Sequence, residues 1–424
     1  MTKTVQLTIT ELGTRGEGAA PHEGATVHVP FTLPGETVVA IADGKRATLL
    51  SVAEASADRI DPVCRHFEEC GGCTLQHMAE PAYRDWKVSL LTRALAAQGI
   101  DTAAVAAPHF CAPQTRRRAV FSAILTEKGV LLGFQRAGSN EIIDIDVCHV
   151  IEPAIAAARP ALKEVLASIL PNGKPVHATV NLTETGLDVA VDGPVKPDDR
   201  QKRAAADLVT RHGLARLAVN GETVLAPRAP TVRFGATAVS PPPGAFLQAV
   251  PAMEEVMAGL VTGHMKKTKR VADLYAGCGT FALRLAAKST VHAVEGDAGS
   301  IAALDTGFRR AAGAGLKPVT VERRDLARRP LTAAELKPYD GVVFDPPRAG
   351  AEAQCREIAA SQVSRVAAVS CNPQTLARDL KTLIDAGFRL SSVTPVDQFI
   401  FTPHLEAVAL LERPRSKKRH WSDL

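Results

Sequence analysis

Three short segments in the C-terminal half set reactive side chains beside residues that turn the chain: Asp345-Pro346-Pro347-Arg348, Ser370-Cys371-Asn372-Pro373 and His404-Leu405-Glu406. The prolines fix φ and deflect the backbone, so Asp345 and Cys371 are expected in rigid positions. A lone cysteine is ordinarily an inert packed thiol. One at a strand exit, flanked by Ser370 and Asn372-Pro373, is better read as a nucleophile working as its thiolate. Glu406 precedes the apolar run Ala407 to Leu411, which puts a carboxylate at the mouth of a strand, and beside a thiol and an acid it suits a general base.

A second constellation lies upstream. Asp273-Leu274-Tyr275-Ala276-Gly277-Cys278-Gly279-Thr280 reads as a glycine turn between a strand and a helix, and Glu295 ends the next strand about twenty residues later, where a carboxylate can bind two ribose hydroxyls. That spacing fits an adenosine nucleoside. The turn lacks the third glycine of the dinucleotide fingerprint and begins with an acid, which disfavours pyrophosphate and suits a sulfonium cofactor such as S-adenosylmethionine. Cys278 is read as a small packed residue.

A thiol, a methyl donor and a base are the parts that methylation of uracil at carbon 5 needs. Thiolate addition to carbon 6 makes an enolate with charge on carbon 5; that carbon takes the methyl group, a base removes its proton, and the thiolate leaves. The base must be single-stranded or flipped out to be reached. Phe246-Leu247-Gln248 offers an aromatic face and an amide for such a ligand, with packing the alternative for Phe246. An amino-methyltransferase acting on adenine or cytosine, which also uses an acid before Pro-Pro, would not need Cys371 or Glu406. A non-catalytic RNA-binding protein would need none of the three.

Cys64, Cys70 and Cys73 are separated by five and then two residues, and Cys148 follows much later. This spacing suits zinc or an iron-sulfur cluster equally, with Gly71-Gly72 letting the backbone wrap closely. Cys111 and Cys355 read as packing residues.

These motifs, with Leu33-Pro34-Gly35-Glu36 and Cys70-Gly71-Gly72-Cys73-Thr74-Leu75-Gln76-His77, resemble the RNA uracil-5-methyltransferase family. The resemblance is to its bacterial 23S ribosomal members, which carry a TRAM domain and an iron-sulfur cluster, more than to the bacterial transfer-RNA enzyme, which lacks both. It implies Cys371 as nucleophile and Glu406 as general base. It also implies S-adenosylmethionine contacts from Gln248, Tyr275, Glu295 and Asp345, with Asp345 near the target base as well. A [4Fe-4S] cluster on Cys64, Cys70, Cys73 and Cys148 is implied too, structural or RNA-orienting because methyl transfer consumes no electron. One departure is Val250, where relatives commonly carry Asn.

The elements that must hold these residues follow from patterning. Short alternating runs at Val5–Thr10, Thr26–Val29 and Thr37–Ile41, broken by Gly and Pro, predict a small OB-like (TRAM) β-barrel over residues 1–55. Residues 56–235 are expected as an α+β central domain holding the cysteines. Its helix, predicted over Pro81–Gln98 with Tyr83, Trp86, Leu90 and Ala94 on one face, is a candidate to pack on the catalytic domain. Residues 236–424 alternate strand and helix, with strands expected at Val271–Leu274, Val291–Val294, Gly341–Phe344 and Val366–Val369. This predicts an α/β, doubly wound parallel sheet, a Rossmann-like class I S-adenosylmethionine methyltransferase domain, with function at the carboxyl ends of its strands.

The whole chain has 424 residues, a net charge of +5 and 46% hydrophobic residues, with no apolar run long enough to span a bilayer. The N-terminus lacks the apolar core of a signal peptide, so a cytoplasmic protein is expected, with reduced cysteines. RNA is the expected partner, with no membrane and no obligate protein partner, and the basic stretch Arg413–His420 reads as a solvated end.

Overall fold

The computed structural model describes residues 3–313 and 315–414, so most of the basic stretch, residues 415–420, lies outside the described residues. Three large sheets organise the chain. The first has six strands in the order Lys3–Thr8, Thr37–Asp43, Arg46–Glu54, Ala25–Val29, Gly18–His22 and Glu11–Leu12. Period-two alternation turns Leu7, Val27, Val29, Val38 and Ala40 into one small buried core. Two contacts fasten this sheet to the next part of the chain. Leu12 and Leu33 share a core with Leu75, Met78, Tyr83, Trp86 and Leu90, and Arg59 forks onto the buried Glu36 carboxylate, with Nη2 2.8 Å from Oε2.

The second sheet has seven strands, ordered Ile142–Ile143, Gly129–Gln135, Arg118–Thr126, Val176–Thr183, Gly186–Asp192, Arg216–Val219 and Glu222–Leu225. Helices Arg159–Ile169 and Asp199–Arg211 pack with it around a core that includes Phe121, Leu132, Val180 and Val189.

The third sheet has eight strands, ordered Val319–Arg323, Thr290–Glu295, Arg270–Leu274, Gly341–Phe344, Arg365–Ser370, Glu406–Glu412, Arg389–Asp397 and His109–Phe110. It is mixed, where the strand–helix rhythm predicts all-parallel. The first five strands run parallel, but Glu406–Glu412 inserts antiparallel between Arg365–Ser370 and Arg389–Asp397. The cause is local: only a short loop, 398–405, joins Arg389–Asp397 to Glu406–Glu412, too short for the crossover that parallel neighbours require. Successive residues face opposite layers. Val271, Val343, Ala367 and Val408 enter the core containing helix Pro251–Met265, whereas Ala272, Phe344, Ala368 and Ala409 enter the opposite one.

Two features cross the boundaries drawn from sequence. Strands Val232–Phe234 and Thr237–Val239 pair as one hairpin, so a division at 235/236 cuts through it, and Val232 and Phe234 belong to the core of the third sheet. Helix Glu80–Ala97 buries Leu91, Ala94 and Leu95 against that unit, and His109–Phe110 pairs in parallel with Val396 and Asp397 at its sheet edge. The other buried face of the helix, Tyr83, Trp86 and Leu90, joins the core shared with Leu12 and Leu33.

Candidate active site

The setting of Cys371 is built by a capped helix. Strand Arg365–Ser370 ends at Ser370, and Asn372 caps helix Pro373–Asp385 by accepting from Gln374 N at 3.1 Å, with Pro373 pre-set in the first turn. Cys371 is thereby confined to the two-residue corner and stays half-buried. The Asn372 amide also donates to the Arg348 carbonyl at 3.1 Å, which fastens this corner to the Asp345 loop. That loop is pinned again at its far end, where Ala351 N donates to the buried Asp379 carboxylate at 2.7 Å. Gly350 is required between them: its φ is +79°, and a Cβ would stand 2.7 Å from Asp379 Oδ2.

Asp345 and Glu406 are joined through two amides. Gln248 Nε2 donates to Asp345 Oδ2 at 2.9 Å, while Gln398 Nε2 donates to Gln248 Oε1 at 2.7 Å and to Glu406 Oε1 at 3.2 Å. Glu406 Oε2 is buried and has no partner among the described residues. Burial, and for Glu406 the neighbouring Asp345, push both carboxyls well above the usual carboxylate range. Burial, followed by Glu406 and Asp345, pushes the Cys371 thiol up to about 11, and only Arg348 and a backbone contact pull the other way. Burial thus disfavours the charged forms of both the Cys371 thiol and the Glu406 carboxyl. Arg348 also donates to the His404 ring, which burial and that guanidinium keep low, at about 4, and therefore neutral.

The glycine turn stands at the neighbouring strand ends. Glu295 accepts from Gly277 N at 2.9 Å and from Asp297 N at 2.8 Å, so the ribose-binding candidate also shapes its own loop. Tyr275, half-buried beside it, holds a left-handed φ of 60°, a strained conformation for a non-glycine residue. Asp273 is buried beneath the turn, and among the described residues neither carboxylate oxygen makes a full hydrogen bond, only an Ala282 N–H contact opposing the upward push of burial, which leaves acceptor capacity for a ligand with donors. Cys278 and Cys355 are buried in the two opposite cores, as packing predicts, and Cys111 is half-buried against the core that holds Cys278.

Phe246 is not packed away. It is 64% exposed, and the Arg118 guanidinium lies 5.8 Å from its ring. Cys64, Cys70, Cys73 and Cys148 line one cavity of about 240 Å³, closed by Phe67, Phe134, Ile145 and Arg116. Among the described residues no group of three or more His, Cys, Asp or Glu side chains is gathered tightly enough to hold a single metal ion.

Three residues essential to this geometry escape the sequence reading: Gln398, Asp397 and Lys87. Lys87 offered a signal, since it sits four residues after Tyr83 on the apolar face of its helix, where a charge needs a buried partner. Asp397 accepts from Lys87 Nζ at 2.9 Å and from the Tyr83 hydroxyl at 2.5 Å, and Lys87 also reaches the His404 carbonyl. The clamp fixes both ends of the loop that delivers Glu406.

Residues 239–414 match the family model described as tRNA (Uracil-5-)-methyltransferase. An uncharacterised RNA methyltransferase of Brucella suis biovar 1 is 53% identical over 97% of this chain and 99% of its own. The 23S rRNA (uracil(1939)-C(5))-methyltransferase RlmD of Halomonas elongata is 34% identical, covering 98% of this chain and 90% of its own. The crystal structure of Pyrococcus abyssi tRNA (uracil-54, C5)-methyltransferase in complex with S-adenosyl-L-homocysteine shares the fold at a TM-score of 0.74 and 22% identity, over 96% of this chain and 100% of that one. Near full-length similarity to such enzymes, on a fold that gathers thiol, acids and glycine turn at one sheet edge, shows that the chain belongs to the RNA uracil-5-methyltransferase family and is an RNA (uracil-C5)-methyltransferase.

Proposed function

We propose that this enzyme methylates carbon 5 of one uridine in 23S ribosomal RNA, with Cys371 as nucleophile and Glu406 as general base. The observation that supports the residue roles best is the hydrogen-bonded series Asp345–Gln248–Gln398–Glu406 beside the Cys371 thiol. S-adenosylmethionine supplies an electrophilic methyl group when bound, and Tyr275, Glu295, Gln248 and Asp345 are the residues proposed to hold it. Cys371, once deprotonated, adds as its thiolate to carbon 6 of the uracil, the electron pair displaced to the enolate lets carbon 5 take the methyl group, and Glu406 takes the carbon 5 proton so that the carbon 6–sulfur bond breaks and the thiolate leaves. Asp345, held by Gln248, faces the base edge, where its protonated form can donate to a uracil carbonyl. The ribosomal target is supported by the 34% identical relative whose name specifies 23S rRNA.

In the same reading, the six-stranded N-terminal sheet is an OB-like TRAM module for RNA, and residues 56–235 form the cluster-bearing region. The four cysteines are proposed as ligands of a [4Fe-4S] cluster. Thiols arranged around a void suit a polynuclear cluster better than one ion, which would need sulfurs about 2.3 Å from a common centre. Their role there is to hold the loop that carries them.

The test of the mechanism is trapping. RNA containing 5-fluorouridine should give a stable covalent complex, because fluorine cannot leave as a proton, and Cys371→Ala should abolish it. Undiminished trapping by that variant would refute the assignment. Mapping 5-methyluridine in RNA from a deletion strain identifies the target; loss from transfer RNA alone would overturn the ribosomal reading.

A further inference from the structure

Gln398 comes directly after the last residue of strand Arg389–Asp397 and is 1% exposed. Its polarity is fixed from outside the site, since Val250 N donates to Oε1 at 3.3 Å and so turns Nε2 inward. The inward amide is shared between Gln248 Oε1 at 2.7 Å and Glu406 Oε1 at 3.2 Å. Gln248, with its oxygen thus engaged, must present Nε2 to Asp345, as it does. Reversing Gln398 would set its N–H against that of Val250 and its carbonyl against that of Gln248, and reversing Gln248 would set its N–H against that of Gln398. A single backbone N–H therefore orders the donors along the whole series, and Val250 needs only its backbone for this.

The second consequence concerns Glu406. Gln398 occupies Oε1, while Oε2 stays buried and unpartnered among the described residues. The partly satisfied carboxylate has one oxygen anchored and the other available to a proton. Gln398 is itself held by its neighbour, because Asp397 is clamped by Lys87 and Tyr83 and accepts from Phe399 N at 2.9 Å.

We propose that Gln398 is a positioning residue for the proton-abstraction step: it anchors Glu406 through Oε1 so that Oε2 faces the carbon 5 proton, and it fixes the Gln248 amide in the orientation that serves Asp345. The proposal rests on Glu406 being the general base. A hydrogen bond to the ionised form favours that form, so removing the donor moves the Glu406 titration to higher pH.

The experiment compares Gln398→Met, Gln398→Asn and Glu406→Gln. With 5-fluorouridine RNA, Gln398→Met should still trap covalently, since Cys371 is untouched. With ordinary RNA, it should resolve the methylated adduct about tenfold more slowly, the effect of losing one hydrogen bond to a charged group. The acid limb of its single-turnover pH profile should move up by about one unit. A lowered Tm with an unmoved pH profile would reduce Gln398 to a packing residue and overturn the proposal. Should the methionine variant fail to fold, Gln398→Asn, whose shorter arm cannot span both acceptors, is expected to give the same alkaline shift, and its absence is equally fatal. Normal turnover by Glu406→Gln would sink the base assignment itself. Adduct accumulation by Glu406→Gln but not by Gln398→Met would sink only this inference.

Discussion

Lys87 and Asp397, 310 residues apart in sequence, meet at 2.9 Å with side-chain exposures of 0% and 2%. The pair joins the helix Glu80–Ala97 to the end of the strand that precedes the Glu406 loop. Burial alone lowers the lysine's pKa, and Asp397 opposes that shift, so each charge depends on the other. Lys87→Met is expected to cost about 3–5 kcal/mol by leaving Asp397 uncompensated. The double variant Lys87→Met/Asp397→Leu should recover much of that loss in urea denaturation. Equal losses in single and double variants would contradict the pairing account.

Thiol reactivity gives a separate check. With Cys371 pushed up to about 11, its alkylation by iodoacetamide in RNA-free enzyme should keep rising beyond the ordinary thiol value of about 8.5. Glu406→Gln removes a neighbour that is ionised above about pH 8, so the thiol pKa should fall and alkylation at alkaline pH should quicken, with little change near neutral pH. A rate already flat at neutral pH, followed by mass spectrometry of the Cys371 peptide, would show that the thiolate is preformed.

Glu295 accepts two backbone N–H bonds in addition to its proposed ribose contacts. Glu295→Ala should weaken S-adenosylhomocysteine binding in calorimetry by about 10–100-fold, while RNA affinity in filter binding holds. Loss of both together would mean that the substitution collapses the turn instead of the cofactor contact.

For the cysteine cavity, anaerobically purified protein is expected to be brown and to contain iron, and Cys73→Ser to lose both colour and iron. The neighbouring Thr74 N and Leu75 N both donate to the Phe401 carbonyl, at 2.8 and 3.1 Å, so this variant should also raise hydrogen exchange in the 399–404 loop. Colourless protein with stoichiometric zinc would overturn the cluster assignment.

The site was readable where chemistry and chain direction coincide in a few adjacent residues. Cys371 between a strand and Asn372-Pro373, and Glu406 before an apolar run, each declare both a reactive atom and its placement. Gln398 declares neither, since a glutamine after a strand acquires meaning only when Val250, Gln248 and Glu406 converge on it from distant segments. The strand positions of the third sheet followed from short apolar runs alternating with helical segments, but the antiparallel insertion of Glu406–Glu412 did not, because an apolar run is indifferent to strand direction. The division at 235/236 failed for a related reason: the Val232–Phe234 hairpin arm is too short to announce which core it enters.

The pairing of His109–Phe110 with Val396 and Asp397 has a bearing on how the polypeptide could be divided. Residues that precede the second sheet close the open margin of the third, and helix Glu80–Ala97 roofs the same flank. A fragment limited to the 239–414 family segment would present bare backbone donors and acceptors along Arg389–Asp397, and an uncovered oily face at Leu376 and Leu380. Cut away from residues 80–110, the methyl-transferring half would lose part of its own core and one strand of its sheet.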